Sequence, residues 1–75
     1  MKFIEMSGAT LRTVVNEDEL PDHAFLDAGI EDHSVVRINE QGDIEVRRSD
    51  SWDVIGGLLG DFEKRLKSAT SLEWV

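Results

Sequence analysis

The chain has 75 residues, with 16 Asp and Glu against 8 Lys and Arg for a net charge of −8, and it has no cysteine. That length allows one small domain, residues 1–75, and leaves no room for a second. The missing thiols exclude a disulfide framework and cysteine-ligated zinc, while the acidic balance opposes direct binding of nucleic acid, which requires clustered Lys and Arg.

In chain order, the first predicted element is a hairpin over KFIEMSGATLRTVV, residues 2–15. With Ser7-Gly8 as a two-residue loop, Ile4 faces Leu11 and Met6 faces Ala9, so the apolar residues share a side. Asn16 to Glu19 break the pattern. Pro21 fits the first turn of a short helix to about Ala28, with Gly29 as its C-terminal cap. Phe25 and Ile30 then form the apolar contact that accompanies such a cap.

A second hairpin follows over SVVRINEQGDIEVRR, residues 34–48, and its register can be derived. Val36 and Ile38 alternate with polar residues, as do Ile44 and Val46. A two-residue loop puts the two apolar rows on opposite faces. The three-residue loop Glu40-Gln41-Gly42 instead sets Ile38 opposite Ile44, Val36 opposite Val46 and Arg37 opposite Glu45. Asn39 suits the start of the turn, and Gly42 supplies its left-handed residue.

Trp52, Ile55, Leu59, Phe62, Leu66 and Ala69 recur at spacings of three and four, the stripe of an amphipathic helix capped by Asp50 or Ser51. Asp61 with Arg65 and Glu63 with Lys67 are spaced to pair along it. Gly56, Gly57 and Gly60 oppose this reading at ~0.8–1 kcal/mol each relative to alanine, so a helix that starts near Leu58 is the alternative. Leu72, Trp74 and Val75 are apolar for a free end, and Trp74 is expected to dock. The predicted order is β-β-α-β-β-α, an α+β domain of two hairpins in one antiparallel sheet, with both helices on one face.

Charge is the strongest signal beyond the fold. Glu17, Asp18, Glu19, Asp22, Asp27, Glu31 and Asp32 fall in a stretch with no Lys or Arg. Such a lobe suits docking to a basic partner, in the manner of an antitoxin or inhibitor, or simply a solvated face. Gly56 and Gly60, four apart, have the small-residue spacing that permits close helix contact. With Trp52, Leu72 and Trp74 as apolar anchors, they make a candidate self-association surface.

Chemistry has little support. His23 and His33 lie among carboxylates but match no established metal-binding spacing. No GxSxG elbow, P-loop or GxGxxG is present. The longest apolar run, Val54 to Gly60, is far too short to cross a membrane. Glu5 interrupts any signal-like stretch after Lys2, which makes the cytoplasm the default location. The segment AGIEDHSVVRINEQGDIEV is similar to the strand–turn–strand units of AbrB-type swapped-hairpin regulators. Those regulators carry basic DNA-facing strands whereas this segment is acidic, so a dimeric regulator ranks last. The expectation is a non-enzymatic module without cofactor or metal that self-associates as a homo-oligomer or binds another protein.

Overall fold

In a computed structural model describing residues Met1–Val75, the first strand, β1, runs over Phe3–Ser7 and buries alternate residues Ile4 and Met6. It does not turn back on itself as the expected N-terminal hairpin requires. Ser7 is a helix cap whose Oγ accepts a hydrogen bond from the Thr10 N–H at 3.1 Å, and the chain continues as helix α1 (Gly8–Val14). The threonine and valine content of this stretch favours a strand. Leu11 and Val14, three apart, can nevertheless both reach the core only from a helix. The free N–H groups of Gly8 and Ala9 donate to the carbonyls of Ser34 and Asp32, which ties the helix start to a distant loop.

Helix α2 (Asp22–Asp27) follows, close to the predicted span. Its end has the expected geometry: Gly29 is left-handed at φ 69°, and the Ile30 and Gly29 N–H groups donate to the carbonyls of Phe25 and Leu26. Strands β2 (Val35–Asn39) and β3 (Asp43–Arg47) pair as derived, with Val36 opposite Val46, Arg37 opposite Glu45 and Ile38 opposite Ile44. The Asn39 side chain accepts from the N–H groups of Gln41 and Asp43, and Gly42 adopts φ 90°.

The predicted long helix is replaced by a strand and a shorter helix. Strand β4 (Trp52–Gly57) returns beside β3, and helix α3 (Phe62–Thr70) starts only after Gly60, itself at φ 67°. The glycines are the reason. Three of them in one helix cost more than its stripe recovers, whereas in β4 Gly56 passes where a Cβ would stand 3.2 Å from Leu20 Cδ1. A bulge at Ile55 interrupts the β3–β4 ladder.

The α+β class therefore holds with the order β-α-α-β-β-β-α, and the sheet order is β1-β2-β3-β4, all antiparallel. Ile4, Met6, Val36, Ile38, Ile44 and Val46 form the sheet's inner face. Leu11 and Val14 of α1, Phe25 of α2 and Leu66 of α3 bury against it. Trp74 docks half-buried on this core, and Val75 exchanges two 2.9 Å backbone hydrogen bonds with Phe3 on β1. No helix is long and apolar enough to cross a membrane.

Candidate interaction surface

Six of the seven acids in the 17–32 stretch are exposed; Glu19 is not, its side chain being 1% accessible. It accepts both terminal nitrogens of Arg65 at 2.6 Å, the Leu59 N–H at 2.6 Å and the Asn16 N–H at 2.8 Å. Arg65 also donates to the carbonyls of Val14 and Leu59. Hydrogen bonding to Arg65, opposed by burial and helped by the two N–H groups, lowers the Glu19 carboxyl to a pKa of about 2. The same pairing raises Arg65. Arg65 thus bonds to Glu19 rather than to its expected helical neighbour Asp61, while Glu63 and Lys67 do approach, at 3.5 Å. The pair clamps α1, the loop before α2 and α3 together.

The exposed acids Glu17, Asp18, Asp22, Asp27, Glu31 and Asp32 all belong to the segment that links α1 to β2 through α2. A groove of about 190 Å³ opens there, lined by Val15, Leu20 and Phe25, with Glu17, Asp22 and Arg12 completing the wall. Arg12 lies over the Phe25 ring at 4.3 Å and 4.0 Å from Asp32, so its charge is partly spoken for. Leu26, 80% exposed on α2, stands between Asp22 and Asp27 in sequence. No local pattern points to this groove: Arg12 and Val15 reach it only because residues 8–14 are helical, and Leu20 and Phe25 line it from the next segment.

The remaining candidates disperse. Trp52 lies on the outer, helix-free face of the sheet, where the Arg37 guanidinium is sandwiched 3.7 Å from the Phe3 ring and 4.0 Å from the Trp52 ring. Arg37 also bonds Glu45 at 2.8 Å. Gly56 is in β4 and Gly60 in the following loop, so they share no helix face. Leu72 is 38% exposed, whereas Trp74 points its Nε1 at Glu63, 3.4 Å away. His23 and His33 are both exposed, and His33 lies 3.6 Å from Glu31. No three His, Asp or Glu side chains gather in a way that could hold a metal ion. Comparison with family models, curated proteins and solved structures gives no match.

Proposed function

We propose that this domain is a non-enzymatic interaction module that docks a basic protein through the acidic face of residues 17–32. The observation that carries the reading is the groove beside α2. Half-buried Val15, at the rim of the buried Leu20 and Phe25, offers an apolar footing to the stem of a Lys or Arg side chain, and Glu17 and Asp22 line the same groove to meet its charge, with Arg12 held by Phe25 and Asp32. The net charge of −8 adds attraction at long range and speeds encounter.

Self-association through α3 and the chain end has less support. It keeps Leu59, Leu72 and Val75, at 60%, 38% and 81% exposure, but Trp74 is already docked and the glycine pair lies off the helix. Two copies of so acidic a chain also repel. The test is fluorescence anisotropy with a labelled lysine- and arginine-rich peptide, alongside its glutamate-substituted counterpart. Binding is expected for the basic peptide alone, weakening at least about tenfold from 50 to 300 mM salt as the charges are screened. Combining Glu17→Gln with Asp22→Asn should weaken it further. Equal binding of both peptides, or indifference to salt, overturns the reading.

A further inference from the structure

The two edges of the sheet are finished differently. The outer edge of β1 is covered by Val75 through its paired hydrogen bonds to Phe3. Strand β4 pairs only with β3, and no backbone hydrogen bond joins residues 52–57 to anything outside that ladder. The Arg48 N–H donates to the Ser51 carbonyl at 2.8 Å, which makes these two residues a hydrogen-bonded pair across the turn. Antiparallel pairing alternates from there, so Trp52 opposite Arg47 and Val54 opposite Glu45 turn their N–H and C=O groups outward. Two residues of open ladder therefore stand in a row.

Building on the proposed docking of a basic protein, we infer that the β4 edge receives an extended basic segment of that partner as a fifth strand. Two contacts bring the 17–32 segment up against this edge. A Cβ on Gly56 would stand 3.2 Å from Leu20 Cδ1, and Leu20 also lines the groove. At the other end of the same stretch, the Arg48 guanidinium reaches the Ala28 carbonyl at 2.9 Å and Asp53 at 3.1 Å. A strand laid along β4 thus has one row of side chains on the helix side, towards Asp53 and the groove, and the other beside Trp52 and Val54. Val54 is 61% exposed and offers that second row an apolar footing. The partner chemistry that fits is an alternation of Lys or Arg with apolar residues, held by main-chain hydrogen bonds and selected by charge.

Charge also decides between occupants. A second copy would bring its own Asp50 and Asp53 to the same edge, and these acids, with the bulge at Ile55, are features that deter pairing between like edges. A basic strand meets Arg47 and Arg48 at one end of this edge, where Arg48 is already held by Asp53, and the acids of the 17–32 stretch beyond it.

The experiment is amide hydrogen exchange by NMR with a short peptide of alternating lysine and valine. Exchange at Trp52 and Val54 should slow about tenfold or more at saturation, while that of Asp53, which already faces β3, stays unchanged. A peptide with N-methyl groups on alternate residues of its pairing edge should lose binding, as should Val54→Pro, which removes an outward N–H from an edge strand. The N-methyl peptide serves if that variant fails to fold. If the peptide binds with shifts confined to residues 17–32 and no protection at Trp52 or Val54, strand addition is wrong while acidic docking stands. Equal binding of the N-methyl peptide also overturns it. If no basic peptide binds at low salt, both proposals fall.

Discussion

Glu19 and Asp22 have the same chemistry and stand three residues apart, yet Glu19 is buried against Arg65 while Asp22 faces water. Holding the Glu19 carboxyl at about 2 instead of 4.5 contributes on the order of 3 kcal/mol to stability. Because the folded-state value is the lower one, that contribution is complete above the unfolded value and is lost as pH falls from about 5 towards 2. Glu19→Gln should therefore cost about 2–3 kcal/mol at pH 7, and the two proteins should converge in stability near pH 2, as followed by urea denaturation. Nothing local distinguishes Glu19 in the sequence. Its partner is 46 residues away, and only the fold brings them together. Arg37 and Glu45 are the opposite case: eight residues apart across a hairpin of derivable register, their pairing could be read directly.

At the scale of the element, what was legible depended on whether local geometry or distant packing decided the outcome. The hairpin of β2 and β3 follows from two apolar rows and one left-handed glycine, all within fifteen residues of chain, roughly the reach of a turn. The ends of α1 and β4 were settled elsewhere. Gly8 sits against another segment, so that a Cβ there would stand 2.0 Å from the Glu31 carbonyl oxygen and 2.8 Å from Ile30 Cγ2. A two-residue hairpin loop would ask of Gly8 only its backbone freedom. In the observed fold, Gly8→Ala must displace backbone, and a loss of about 2–3 kcal/mol is expected, visible as a Tm lower by roughly 10 °C or more. Likewise, a helical stripe from Trp52 to Ala69 competes with a strand over the same first residues. The alternation is short and glycine-rich, and β3 supplies the hydrogen-bonding edge that tips the balance.

For the whole molecule, charge layout and sheet edges matter most. A net charge of −8 with six exposed acids on one stretch means that the folded state repels itself. Raising NaCl from 20 to 200 mM should accordingly raise Tm by a few degrees, corresponding to roughly 0.5–1 kcal/mol, since the Debye length falls from about 20 Å to about 7 Å. A Tm that falls with added salt would mean that ion pairs such as Glu19–Arg65 outweigh that repulsion. By itself the amino-acid order determined the α+β class, the β2–β3 register, the Gly29 helix end and the acidic stretch, because each rests on contacts between near neighbours or on composition alone. Only the tertiary structure decided that Ser7 starts a helix, that Trp52 begins a strand, that Glu19 turns inward and that β4 is left open. For Gly8 and Glu19 the deciding group lies far along the chain, the Glu31 carbonyl and the Arg65 guanidinium, while at Trp52 the local glycines only weaken the helix and the β3 edge decides.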